Sequence, residues 1–227
     1  MAETEPVPVV ATDVERRLRE VRARIDAVSG GRQVEVLAVT KGFGIDAVDA
    51  AVHNGLFAVG ENYAQELLAK AGTAATSVRW HFIGGLQRNK VASLAPHVAL
   101  WQTVDRLPLL EAIAGHAPGA SVMLQVNLTG DPTRPGCEWR DIGGLATAGR
   151  SLGLDVRGLM GVGPSGPPEG ARPLFARLAR CAAEHGLREL SMGMSGDLEV
   201  AVAEGSTMIR VGTALFGPRP RPNDLRR

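Results

Sequence analysis

Short runs of β-branched and apolar residues recur along this chain, and each is followed by a stretch of helical length. The runs are Val34–Thr40, Phe57–Gly60, Arg79–Ile83, Ala99–Val104, Ser121–Asn127, Val156–Met160, Glu189–Met192 and Met208–Val211. Helical stretches separate them at Ile45–His53, Tyr63–Ala71, Gln87–Leu94, Arg106–Gly115, Trp139–Leu152, Ala171–His185 and Leu198–Ala203. Strands alternating with helices at this spacing imply βαβ units and a parallel sheet. Eight units within 227 residues predict a closed (β/α)8 TIM barrel, an α/β single-domain fold at the short end of its size range. An open doubly wound sheet is the competing arrangement, but no GxGxxG follows the first run. One helix stands outside the pattern. Val14, Leu18, Val21, Ile25 and Val28 recur at spacings of three and four over Asp13–Val28, with Thr12 or Asp13 as N-cap and Ser29-Gly30-Gly31 as the stop.

This reading divides the chain into a flexible N-terminus over 1–12, a barrel over 13–217 and a flexible tail over 218–227. Residues 129–137 (TGDPTRPGC) and 161–170 (GVGPSGPPEG) are turn-rich loops that each follow a strand. The 25 basic and 24 acidic residues nearly cancel, which argues against a chain built to grip nucleic acid. Cys137 and Cys181 are isolated, so neither a disulfide framework nor a cysteine zinc site is expected, and no other metal site is read. Two structural thiols suit a reducing cytoplasm. Neither a signal-peptide pattern nor an apolar run of membrane-spanning length is visible.

In such a barrel the residues just after each strand converge on one mouth, where the chemistry sits. Lys41 ends the first run, VEVLAVT. It is either a lysine reaching out to solvent or, with its pKa lowered by burial or a nearby cation, a nucleophile toward aldehydes. The segments SMGMSGD (residues 191–197) and IRVGTALFG (residues 209–217) place Gly212, Ser195 and Thr213 at the last two strand-to-helix turns. Backbone N–H groups and hydroxyls there make a phosphate cradle, at the position where barrels commonly bind phosphate. Two adjacent cradles opposite a strand-end lysine point to an aldehyde that carries a phosphate. Arg210 is buried in the last strand and needs a partner: a carboxylate such as Glu61 or Asp197, or else a ring nitrogen or phosphate. His81, inside WHFIG, alternates with Trp80 and Phe82; it is either a satisfied core residue or, facing inward, a lining of the site.

The segments LAVTK (37–41), GENYAQE (60–66), WHFIGGLQRNK (80–90), VDR (104–106), QVN (125–127), GLM (158–160) and LSMGMSGDLEVAVAEGSTMIRVGTALFG (190–217) resemble the pyridoxal 5′-phosphate homeostasis proteins, the YggS/PROSC family. They occur in order and span about four fifths of the chain. The resemblance implies an alanine-racemase-like barrel holding pyridoxal 5′-phosphate (PLP) as a Schiff base on Lys41. It implies that Asn62 and His81 line the cofactor, that Ser195, Gly212 and Thr213 hold the phosphate beside Met194, and that Arg210 faces the pyridine nitrogen. Departures are few. Thr40 precedes the lysine, Gly42-Phe43-Gly44 follows it, Gln102-Thr103 replaces the family's His-Ser, and Arg134 stands at a family lysine.

Related barrels in racemases and decarboxylases complete their sites with a tyrosine from elsewhere, whereas Tyr63 is the only tyrosine here. An arginine at the ring nitrogen also makes the cofactor a poorer electron sink. The expectation is therefore a cytoplasmic, monomeric PLP carrier with no catalytic residues and with apo PLP-dependent enzymes as acceptors. A weak amino-acid racemase is the alternative, and a barrel for sugar or nucleotide phosphates is a third.

Overall fold

The computed structural model describes residues 8–74 and 77–219. The chain runs through α1 (Ala11–Ser29), β1 (Glu35–Val39), α2 (Ile45–His53), β2 (Ala58–Glu61), α3 (Ala64–Ala71) and β3 (Arg79–Phe82). It continues through α4 (Val91–Leu94), β4 (Val98–Val104), α5 (Leu107–His116), β5 (Ser121–Val126), α6 (Ile142–Ser151) and β6 (Asp155–Gly161). The last elements are α7 (Arg172–Glu184), β7 (Glu189–Ser191), α8 (Leu198–Ala203), β8 (Met208–Val211) and α9 (Thr213–Phe216). The eight strands are parallel, pair in chain order and close into a barrel as β8 pairs with β1.

Alternation along each strand sorts the side chains into two cores. Leu37, Ala58, Leu100, Met123, Met160 and Met208 pack together inside the barrel. Val59, Trp80, Phe82, Trp101, Leu124 and Leu159 belong to the larger core between barrel and helices. Near the C-terminal ends of the strands the filling turns polar, with His81, Gln102, Ser191 and Arg210 all buried. The barrel is thus filled in layers, as small barrels must be to exclude water. At β6 the packing needs glycine: a Cβ on Gly158 would lie 1.9 Å from the Glu189 carbonyl oxygen.

Helix α1 packs against α2, α8 and α9 and so covers the seam where β8 meets β1. Val14, Leu18, Val21 and Ile25 form its buried stripe. It begins at Ala11, earlier than its sequence suggests, with Val10 at the N-cap and no capping side chain. The end is as expected, with Gly30 in the left-handed conformation. Residues 1–7 and 220–227, most of the expected flexible termini, lie outside the described residues. Three details differ from the sequence reading. The expected Gln87–Leu94 helix is a 3-10 turn at Arg88–Lys90 followed by one α turn. A short ninth helix follows β8. The TGDPTRPGC loop folds back, so that Cys137 bridges to Val126.

Two glycines test this packing. Gly158→Ala should lower stability by more than about 3 kcal/mol, because backbone rather than a flexible side chain blocks the new methyl. Gly144→Ala, in α6 with open space around its Cβ, should raise stability by about 0.5–1 kcal/mol. Urea midpoints of both variants check the pair; equal effects would contradict the tight β6–β7 contact.

Candidate functional site

Lys41 follows β1 by two residues, at the C-terminal rim of the barrel. The β1–β8 register pairs Leu37 with Arg210 and Ala38 with Val211, which brings Gly212 and Thr213 to the same stretch of rim. Gly212 lies against β1 so closely that a Cβ would be 3.1 Å from the Val39 carbonyl oxygen. Lys41 is half-buried. Burial, then the positive charges of Arg219 and Arg210, hold its pKa below the ordinary lysine value, against the pull of Glu61 and Glu66. The Gly42-Phe43-Gly44 departure forms a fixed turn. Gly42 adopts φ +72°, the left-handed region, and Phe43 packs on Phe216 with ring centroids 5.3 Å apart.

Arg210 is 5% exposed, and among the described residues no carboxylate hydrogen-bonds to it. Its guanidinium donates to the Ser191 carbonyl (2.6 Å), to Ser191 Oγ (2.8 Å) and to the Gly161 carbonyl (2.8 Å). A directly bonded carboxylate is thereby overturned, although the charge of Asp197 still favours the cation. Glu61 pairs with Lys70 instead, and Asp197 Oδ1 accepts the Met194 N–H at 2.7 Å. Burial pushes the Arg210 pKa down to about 10, which leaves it cationic at neutral pH. Guanidinium carries five N–H donors, so two stay free for another acceptor.

A chain of hydrogen bonds leads from Arg210 across the interior. Ser191 Oγ accepts from Arg210 and donates to Gln102 Oε1 at 2.6 Å. Gln102 Nε2 lies 3.0 Å from His81 Nδ1. An amide nitrogen can only donate, so Nδ1 accepts and the imidazole proton sits on Nε2. Burial, then the charges of Arg79 and Arg157, pushes the His81 pKa down to about 3.

The two expected phosphate turns lie side by side, tied by the Arg210 N–H to the Gly193 carbonyl at 3.0 Å. Ser195 is half-buried, while Thr213 and Met194 are exposed. Arg24 of α1 secures the first turn: it donates to the Ser195 carbonyl at 3.0 Å and holds Glu199 with two bonds of 2.5 and 2.8 Å. Asn62 follows β2 and lines a groove of about 230 Å³ with Tyr63, Gly85 and Lys90. A larger groove of about 660 Å³ lies at the opposite end of the barrel, beside Glu35, Phe57 and Thr207, away from Lys41.

The structure therefore gathers Lys41, Arg210, Gly212 and Thr213 at the β8–β1 rim. It sets Met194 and Ser195 beside them and links His81 to Arg210 through Gln102 and Ser191. Sequence reasoning missed Ser191, Gln102, Lys70 and Arg24. Only Glu66 and Lys70, four apart on one helix face, carried a spacing signal for a contact. Of the tail, Arg219 is described: its Cδ lies 3.5 Å from where a Gly42 Cβ would stand, over the turn beside Lys41. Among the described residues no cluster of His, Cys, Asp or Glu could hold a metal, and no helix is long and apolar enough to cross a membrane. Both cysteines are free; burial pushes the Cys137 thiol up to about 12.

The family model for the N-terminal domain of alanine racemase matches residues 12–220. The chain is 40% identical over 220 residues to the pyridoxal phosphate homeostasis protein of Pseudomonas aeruginosa, covering 91% of this chain and 96% of that one. It resembles the structure of PipY from Synechococcus elongatus with PLP bound, at TM-score 0.81 and 34% identity, covering 90% of this chain and all of that one. Alanine racemase from Corynebacterium glutamicum shares the fold, at TM-score 0.72 and 14% identity, over 93% of this chain and 62% of that one.

The His81 environment has a consequence for stability. The unfolded chain takes up a proton as pH falls through 6.5, whereas folded His81 stays neutral until about 3. The unfolded state binds more protons between those values, so stability falls as pH drops through that window, by up to about 1.4 kcal/mol per unit. Urea unfolding between pH 7 and 5 should show a shallower pH dependence in His81→Gln than in the wild type. Imidazole NMR should find His81 neutral and protonated at Nε2 at pH 5; titration near 6.5 would contradict the buried relay.

Proposed function

The chain belongs to the pyridoxal phosphate homeostasis protein family, built on the alanine racemase N-terminal domain, and from that premise we propose that it holds PLP as a Schiff base on Lys41 and serves as a carrier of the cofactor. The observation that carries the reading is the charge at the rim. Arg210 is buried with no carboxylate bonded to it, and Lys41 feels both Arg210 and Arg219 as like charges. Glu61 and Glu66 offset part of this charge at Lys41, but the Arg210 guanidinium keeps donors that a further anion would satisfy. A phosphorylated aldehyde answers both needs, the anion for the arginines and the carbonyl for the amine.

When bound, the cofactor would supply an aldehyde carbonyl toward which a neutral amine is nucleophilic. Lys41 must lose its proton first, and its lowered pKa raises the neutral fraction at physiological pH. Ser195 and Thr213 hydroxyls, with the N–H groups around Gly212, would hold the phosphate. A free donor of Arg210 would meet the lone pair of the pyridine nitrogen and keep that nitrogen unprotonated. His81, neutral with its proton on Nε2, is buried beneath the mouth and adds no charge there, and Met194, with Asn62 from the adjoining groove, would complete the lining. This arrangement supplies little acid–base machinery: Tyr63, the only tyrosine, is 60% exposed. That favours a carrier over a racemase, with apo PLP-dependent enzymes as the acceptors.

Purified protein incubated with PLP should gain near-visible absorbance, and borohydride should fix the label on Lys41. Lys41→Ala should retain some PLP through the phosphate contacts but lose the trapped adduct; label on Lys70 or Lys90 would refute the assignment. Ser195→Ala and Thr213→Ala should each weaken PLP binding by roughly 10- to 100-fold, from hydrogen bonds worth about 1.5–3 kcal/mol. Their affinity for pyridoxal, which lacks the phosphate, should stay near wild type. Loaded protein mixed with an apo PLP-dependent enzyme should restore that enzyme's activity; no transfer would argue against the carrier role.

A further inference from the structure

Side chains from β2 and α3 grip the main chain on both sides of Lys41. Before it, the Thr40 carbonyl accepts from Lys70 Nζ at 2.8 Å, and the Thr40 hydroxyl donates to Glu61 Oε1 at 2.6 Å. After it, the Gly42 N–H donates to Glu66 Oε2 at 2.8 Å. The three gripping groups are joined to one another, with Lys70 Nζ 2.5 Å from Glu61 Oε1 and 3.5 Å from Glu66 Oε2.

This cluster is a poor device for stability alone. Glu61 is 0% and Lys70 7% exposed, so both charges have left water. Replacing a buried ion pair with apolar residues of similar size is often neutral or stabilising. Among the described residues Glu61 Oε2 has no hydrogen-bond partner, a further cost. An apolar pair would join β2 to α3 as well, but it could not hold the polar main-chain groups at Thr40 and Gly42. Those two residues flank Lys41 alone.

We propose that Glu61, Lys70 and Glu66 form a positioning triad for Lys41, fixing the backbone on either side of it so that its amine is presented at the mouth of the barrel. The inference rests on the reading of Lys41 as the residue that takes the cofactor. The triad acts through backbone and charge; it does not touch the reacting atoms. The charges that face Lys41 come from four places: Glu61 on β2, Glu66 on α3, Arg210 on β8 and Arg219 after α9. The glutamates favour the ammonium and the arginines oppose it. Removing a glutamate therefore moves Lys41 titration to lower pH, a charge effect common to both variants below, while the positioning role is read from the glutamine's rescue of attachment.

Glu66 gives the cleanest test, because its side chain is 33% exposed and its loss need not unfold the chain. Glu66→Ala and Glu66→Gln remove the same charge, but only the glutamine keeps an oxygen to accept the Gly42 N–H. In the full chain without cofactor, amide hydrogen exchange at Gly42 should speed up roughly tenfold in Glu66→Ala. It should stay within about twofold of wild type in Glu66→Gln. Trace acetylation of Lys41 with acetic anhydride, followed by mass spectrometry against pH, should show a lower midpoint in both. PLP attachment, trapped by borohydride, should slow roughly tenfold in Glu66→Ala and recover in Glu66→Gln. The proposal is overturned if Gly42 exchange and the Lys41 profile in Glu66→Ala match the wild type, or if the glutamine slows attachment as much as the alanine. The cofactor-free measurements separate the two readings. If they move while the trapped label lies elsewhere than Lys41, the assignment of Lys41 fails, and with it the role of the triad, although the backbone contacts hold; if the label stays on Lys41 at an unchanged rate in Glu66→Ala, the triad fails and the assignment stands.

Discussion

Pairing between β8 and β1 is the contact on which the rest of this molecule depends. Four residue pairs, from Glu35 with Met208 to Ala38 with Val211, convert an open parallel sheet into a barrel without edges. The same four pairs bring Lys41, near one end of the chain, to the turn that holds Gly212 and Thr213, near the other. Neither the amine nor the Gly212–Thr213 turn would have the other beside it without that juxtaposition. Helix α1, which has no place in the eightfold alternation, covers this seam by packing on α2, α8 and α9, and its Arg24 ties the neighbouring Ser195 turn.

A second constraint is electrostatic. Inside the closed barrel the strands are filled by apolar side chains toward one end and by a connected polar set toward the other. Arg210, Ser191, Gln102 and His81 satisfy one another across β8, β7, β4 and β3. In a low-dielectric interior a polar set of this kind is tolerable only when its members are bonded. The set leaves donors of Arg210 free and the cation without a counter-charge bonded to it.

Much of this was legible in the sequence, for reasons that are local. Periodicity two placed His81 and Ile83 opposite Trp80 and Phe82, and the structure puts Trp80 and Phe82 in the outer core and Ile83 against the inner one. The position of Lys41 and of the Gly and Ser turns followed from where apolar runs stopped. What was not legible depends on groups distant in sequence. Arg210 lies 19 residues from Ser191 and 49 from Gly161, and nothing near it signals that its partners are oxygens of the backbone and a hydroxyl. Glu61 looked available to Arg210 because spacing cannot show that Lys70 and Thr40 already hold it. The α4 region read as a longer helix because propensity does not see the 3-10 start at Arg88. Asn62 and Met194 entered only through the resemblance, since neither residue type announces a role by itself.

The seam also orders events in time. Glu35 and Met208 meet across more than three quarters of the chain, so their contact must wait until nearly everything between them has been made. During synthesis β1 leaves the ribosome with Lys41 attached long before β8 exists. Until then the lysine has no arginine from β8 beside it and no Gly212–Thr213 turn opposite it, and it behaves as an ordinary exposed amine. Activation of the amine is thus a late folding event, coupled to completion of the barrel. A nascent or truncated chain would lack the burial and the cations that lower the lysine's pKa in the finished fold.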